Sequence, residues 1–214
     1  MNFQNFCQNR RSIRKFNNTI VTKSEIEALI TAAIYAPSHC NTQEWRFIIV
    51  TDKNKKQQLV DHGGSIVINT ANAGVLVCYQ NNSDNLEYHD WIQSASAAAQ
   101  NILLQAHATG LGACWICHLP SKKTLRKIFG IHKSYDPICY IAIGHTSQKP
   151  LEVPRKLPLH DFFNYNQFPI INKNLPRKKL FKIILRKIYY HLPYFVKKRL
   201  NKFVDSKFVK KFKN

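Results

Sequence analysis

Four cations and a hydroxyl stand within six residues near the start of the chain, Arg10-Arg11-Ser12-Ile13-Arg14-Lys15. Arginine forks match phosphate oxygens, and a serine hydroxyl can donate a further bond. The same run also reads as an ordinary solvated face. A second polar cluster is Pro37-Ser38-His39-Cys40-Asn41-Thr42-Gln43. Its amides offer donors and acceptors together, which suits the edge of a heterocycle, and its plainer reading is a capped loop between helix and strand. Lys149, Arg155 and Lys156 follow the last apolar run and can close on the same anion as Arg10 and Arg14. Cys114-x-x-Cys117 has the spacing of a redox or zinc half-site, but no second pair exists, so quiet buried thiols are the default and no metal site is expected. His39, His118 and His145, like Cys40, fit a solvated or hydrogen-bonded loop as well as a ligand role. Trp45 and Trp115 stand at strand ends, where tryptophan is usually core.

Elements must position these groups. Thr22 and Glu25 form a capping-box pattern ahead of Ile26, Leu29, Ile30 and Ala33, predicting a helix over 22–36 that stops before Pro37. A buried strand follows over 46–51, and Asp52 can cap a short charged helix through Val60. Residues 63–74 read as a glycine- and asparagine-rich linker, and 75–79 as a second strand. An alanine-rich helix over 94–109 ends at Gly110 and Gly112, its small residues suiting close packing against another helix. Residues 113–117 are short and apolar, Ser121 caps a helix ending at Gly130, and 138–143 is a strand closed by Gly144. Helices and about four strands alternate within one body, with no internal repeat.

The 214 residues carry 44% hydrophobic and 21% charged side chains, which excludes a wholly disordered chain. No apolar run is long enough to span a bilayer, and the charged first sixteen residues lack a signal-peptide core. The six cysteines, mostly in apolar runs, suit a reducing, cytoplasmic setting. The net charge of +20 is unevenly spread. Residues 172–214 hold 15 basic residues and one acid, Asp205, whereas 1–171 carry only +6. Two domains are therefore expected, a body over 1–171 and a basic extension over 172–214. Pro176 and Pro193 can each open a helix, and Val196, Leu200, Phe203, Val204, Phe208 and Phe212 recur at helical spacing among lysines. This basic amphipathic pattern fits an anionic membrane surface through residues 177–213. Packing of the apolar stripe across a dimer is the next reading. Charge-only nucleic-acid contact is the least favoured.

The order of the motifs carries more than any one of them. Arg10-Arg11-Ser12-Ile13-Arg14-Lys15-Phe16 is followed by Ala36-Pro37-Ser38-His39-Cys40-Asn41-Thr42-Gln43-Glu44-Trp45-Arg46-Phe47. Then come Ala98-Ala99-Gln100-Asn101-Ile102-Leu103-Leu104-Gln105-Ala106, Gly110-Leu111-Gly112-Ala113-Cys114-Trp115-Ile116, Ile141-Ala142-Ile143-Gly144-His145 and Arg155-Lys156-Leu157-Pro158-Leu159. In this order, across residues 5–163, the chain resembles the nitroreductase family of flavin mononucleotide (FMN) oxidoreductases.

The resemblance implies an α+β sandwich, a mainly antiparallel sheet flanked by helices, and a homodimer with FMN sites at its interface. The basic extension lies beyond what it covers. Position by position, Arg10, Ser12 and Arg14 would hold the FMN phosphate, with Arg11 adding backbone or side chain, and Arg155 or Lys156 would be a late phosphate ligand. Pro37, Ser38, His39, Asn41 and Gln43 would approach the isoalloxazine ring from the partner subunit. Asn69 is a weaker ring contact, and Ile116, Cys117 and His118 would lie beside the ring, where backbone N–H groups polarise it. No dedicated catalytic side chain is expected, because flavin N5 does the chemistry. NADH or NADPH would reduce the flavin, and a small organic acceptor (nitro, quinone or enone-like) would follow in the same place, giving ping-pong kinetics. Glu44 stands where family members often have proline, and Cys117 where many have glycine. The localisation implied is cytoplasmic and peripheral to the inner face of the membrane. The alternatives are a non-catalytic flavin-holding or membrane-recruitment module, and a flavin-free basic nucleic-acid-binding protein.

Overall fold

The Thr22 hydroxyl accepts from the Glu25 N–H at 3.2 Å, and the Glu25 carboxylate accepts from the Thr22 N–H at 2.7 Å. This reciprocal cap opens helix α2, Lys23–Ile34. In the computed structural model, residues 2–82, 85–147 and 152–169 are described, with positions 184, 188, 192, 196 and 200. The chain divides into two compact units, Met1–Pro150 with Lys198–Asn214, and Leu151–Lys197.

In the first unit a short helix α1, Phe3–Asn9, precedes α2. Strand β1 is Trp45–Val50 and α3 is Lys53–Asp61, capped by Asp52 as its position predicts. Helix α4, Val67–Thr70, lies inside the stretch that reads as a linker, and β2, Ala73–Gln80, begins two residues earlier than its apolar run. Helix α5 is Asp90–Ala108, starting four residues before the sequence suggests. Strand β3 is Gly112–Ile116, α6 is Lys122–Phe129 between Ser121 and a left-handed Gly130, and β4 is Tyr135–Gly144.

The four strands form one antiparallel sheet in the order β1-β2-β4-β3. The predicted α+β architecture is the one observed. Alternation splits the core between the two faces. Val75, Val77, Cys139, Ile141 and Ile143 face α2 and α5. Leu76, Cys78, Cys114, Tyr140 and Ala142 face α3, α4 and α6. Alanines 95, 98, 99 and 106 let α5 approach α2 closely, and Asn101 Nδ2 donates to the Ala32 carbonyl at 2.9 Å between them. Asp136, almost fully buried, staples α6 to β4 by accepting from Lys122, from Arg126 at 2.5 Å and from Asn81 at 3.0 Å.

In the second unit, residues 152–168 are exposed apart from half-buried Leu157, with one helical turn at Leu159–Asp161. Ile184 and Ile188 are helical, four residues apart and about half exposed. Val196 is helical as well, as is Leu200 of the first unit, and the remainder of the amphipathic pattern lies outside the described residues.

Candidate active site

The cationic run near the N-terminus is extended and lies on the outer edge of β3. The Ile13 N–H donates to the Ala113 carbonyl at 3.0 Å, and the Asn17 N–H donates to the His145 carbonyl at 2.9 Å. Close approach depends on two glycines. A Cβ on Gly112 would stand 2.8 Å from Ile13 Cγ2, and one on Gly144 would stand 2.8 Å from the Phe16 ring. Arg10 and Arg14 both lie near enough to the buried Cys114 thiol for their charges to act on it, although burial dominates and raises that thiol. Two half-buried guanidinium groups therefore flank the free edge of β3. Arg14 donates to the Ser12 carbonyl at 3.2 Å, and Ser12 is exposed beside it. Arg11 turns the other way, donating to the Gln8 carbonyl at the end of α1 and to its neighbour Arg10 at 3.3 Å. Its side chain thus closes a helix end. A cleft of about 200 Å³ opens here between Arg10, Arg11, His107, Gly110 and Thr146. Burial first, then Arg10 and Arg11, lower the pKa of His107.

Antiparallel pairing fixes where backbone groups on β3 point. Each residue either exchanges both bonds with its partner or turns both groups away. The Ala113 carbonyl is taken by Ile13 on the outer edge, so Ala113 and, two residues on, Trp115 turn their backbone groups outward. Ile116 is buried and ends the strand, Cys117 is exposed, and the His118 carbonyl accepts from Ser65 at 3.0 Å. Helix α4 reaches the same edge, since the Thr70 hydroxyl donates to the Arg14 carbonyl at 3.3 Å. Asn69, on that helix, is exposed and donates to Gln57 at 2.8 Å.

The 37–43 loop sits elsewhere. It enters β1, the opposite edge strand of the sheet. Cys40, Asn41 and Gln43 have φ of 45°, 54° and 54°, a concentration of left-handed non-glycine residues held by tight pinning. His39 receives two contacts of 3.0 Å from Ser94 on α5, one to its N–H and one to Nδ1. The Tyr79 hydroxyl lies 2.7 Å from Thr42 Oγ1 and accepts from the Glu44 N–H at 3.3 Å. Ser38 Oγ accepts from the Gln43 N–H at 3.1 Å, and Gln43 donates to Asn41 at 2.8 Å. Pro37, Cys40, Asn41 and Gln43 remain exposed.

The structure thus brings Arg10, Ser12, Arg14, Ile116, Cys117 and His118 to one edge strand and Pro37, Ser38, His39, Asn41 and Gln43 to the other. With strands about 4.8 Å apart, three intervals separate the two edges by about 14 Å. Arg155 and Lys156 are exposed in the second unit, and Lys149 lies outside the described residues. Among the described residues no cluster of histidine, cysteine and carboxylate side chains can hold a metal. Sequence reasoning missed α4 and Thr70, whose contact with Arg14 has no local signal.

The donor set fits a phosphorylated flavin. Paired guanidinium groups suit a phosphate dianion, and outward backbone groups along an edge strand suit the polar rim of a planar ring.

Comparison with known proteins gives the chain its relatives. A family profile described as Nitroreductase family matches residues 7–86 and 63–145. A relative from Archaeoglobus fulgidus, provisionally named an NADH dehydrogenase/NAD(P)H nitroreductase, is 34% identical over 141 residues, covering 64% of this chain and 80% of its own. The NADPH-flavin oxidoreductase of Vibrio harveyi is 27% identical over 175 residues, covering 76% of this chain and 72% of its own. Among solved structures, an FMN-dependent nitroreductase from Clostridium difficile R20291 superposes with a TM-score of 0.68 at 29% identity, covering 76% of this chain and 98% of its own.

Proposed function

The chain belongs to the nitroreductase family and is an FMN-dependent NAD(P)H oxidoreductase; we propose that its site is assembled from two copies and that its electron acceptor is a small organic molecule of the nitro, quinone or enone type. FMN held there would supply the redox chemistry between NAD(P)H and the acceptor. Arg10, Ser12 and Arg14 hold the phosphate. Residues 116–118 set the ring against the edge of β3, with Asn69 a further contact from α4. Pro37, Ser38, His39, Asn41 and Gln43 cover the ring from the second copy. These residues bind, orient and exclude water, and none moves a proton in this reading.

One observation supports the shared site. The two groups of candidate residues lie on opposite edge strands of one sheet, which favours a second copy bringing its loop onto the cationic edge. Subunit mixing tests it. A chain carrying Arg10→Ala and Arg14→Ala and a chain carrying His39→Ala and Asn41→Ala are each expected to be inactive. Refolded together, they regain one intact site per heterodimer. If mixing restores nothing while heterodimers form, the site lies within one chain.

The 172–214 extension is proposed to attach the enzyme reversibly to an anionic membrane face. Each basic residue near such a surface contributes about 1 kcal/mol, and the exposed, helically spaced Ile184 and Ile188 supply apolar contact. Among the described residues no helix is long and apolar enough to cross a membrane.

A further inference from the structure

The sheet register points from the exposed Cys117 to a second cysteine. β3 pairs with β4 as Gly112↔Gly144, Ala113↔Ile143, Cys114↔Ala142, Trp115↔Ile141 and Ile116↔Tyr140. β3 ends at Ile116, and continuing its register one residue further sets Cys117 against Cys139 of β4. Because Ala113 turns its backbone outward to Ile13, the odd-numbered residues 113, 115 and 117 fall at non-hydrogen-bonded positions. At such positions the facing Cα atoms are closest, about 4.5 Å apart, and the side chains meet. Alternation also settles which face is used. Cys139, Ile141 and Trp115 share the face covered by α5, and the same alternation carried one residue past β3 sets the exposed Cys117 at the rim of that face. Cys114, three residues earlier, points to the opposite face with Cys78. The Cys114-x-x-Cys117 spacing is therefore not the operative pair.

We propose that Cys117 and Cys139 form a reversible cross-strand disulfide when the protein meets a low-molecular-weight disulfide. The exposed Cys117 reacts first. Its thiolate attacks one sulfur of RS–SR, that bond breaks, and RS⁻ leaves. The Cys139 thiol then loses its proton, its sulfur attacks Cys117 Sγ, and the second RS⁻ leaves and takes the proton. The protein dithiol is oxidised by two electrons, and RS–SR is reduced to two thiols. Burial holds the Cys139 thiol high, so this second step is the slow one.

The chemistry does not depend on bound flavin, although the bridge would sit at the end of β3 where the flavin is read to lie. The test treats the purified full-length chain with glutathione disulfide and maps its peptides without reduction. The expected result is a Cys117–Cys139 linked peptide, loss of two free thiols, and full reversal by dithiothreitol. Cys117→Ser, at an exposed position, should keep its fold and lose the link, whereas Cys114→Ala should retain it. A Cys114–Cys117 link, or a Cys117 adduct that never resolves while Cys139 stays free, would overturn the proposal. Neither of those results would touch the flavin reading, which is judged by flavin content.

Discussion

At the scale of single residues, charge placement decides most of what the site can do. Arg14 and Arg10 flank the free edge of β3, and each charge-assisted bond to a phosphate contributes about 1.5–3 kcal/mol. Arg14→Ala should weaken FMN binding about 10- to 100-fold with little loss of stability, measured by fluorescence titration of the apoprotein. Adding Arg10→Ala should leave a folded, flavin-free protein, and full flavin occupancy in the double variant would displace the phosphate assignment. Asp136 gives a second residue-scale prediction. Burial raises its pKa, but hydrogen bonds from Lys122 and Asn81 and the charges of Lys122 and Arg126 outweigh that and hold it below the ordinary value of 3.8. A depressed carboxylate contributes stability above its unfolded-state pKa and loses it as pH falls through the folded-state value. Asp136→Asn should therefore cost about 2 kcal/mol at pH 7 and progressively less as the pH drops below about 4. Urea midpoints of both proteins across that range check it. Residue types made the cationic run at 10–15 legible as a run of charge. They did not announce that Arg11 would turn back to the Gln8 carbonyl, because that depends on where α1 ends.

At the scale of elements, two devices present the site. The first is the close crossing of residues 10–16 over β3 and β4. Gly112→Ala places a Cβ against Ile13 and Thr146, both branched at Cβ, and should cost about 1–3 kcal/mol and loosen FMN together. Thermal denaturation with and without FMN separates the two effects. The second is the Tyr79 hydroxyl, fully buried beneath the 37–43 loop. Tyr79→Phe should destabilise by about 1–2 kcal/mol and speed amide exchange at Glu44 and Thr42, leaving β2 protected. Elements with local signals were legible in the sequence. The capping box of α2, the Asp52 cap of α3 and the Ser121–Gly130 bounds of α6 each rest on contacts within a few residues. Elements fixed by distant contacts were not. α5 begins after His89, a left-handed residue with no side-chain cap, so nothing marked its start. α4 is a single turn hidden among residues that favour loops. β4 begins before Pro137, which is tolerated because the register shifts there, from Val77↔Cys139 to Cys78↔Pro137.

At the scale of the whole molecule, the sheet order governs function. The family motifs made the fold and cofactor class legible, yet only the order β1-β2-β4-β3 reveals that the two motif groups face away from each other. The basic extension follows a different logic, charge and apolar spacing instead of a preformed pocket. Removing residues 172–214 should abolish co-sedimentation with anionic vesicles and leave flavin content unchanged. Dissociation of the truncated protein into monomers would instead make the extension a structural brace. The account rests above all on bound FMN exchanging electrons with a nicotinamide donor. An absorbance spectrum of the purified protein, taken before and after anaerobic addition of NADH or NADPH, tests this most directly. The account predicts flavin bands near about 450 nm that bleach on addition of the donor. A protein that stays colourless after reconstitution with FMN, or flavin bands that neither donor bleaches, would contradict it.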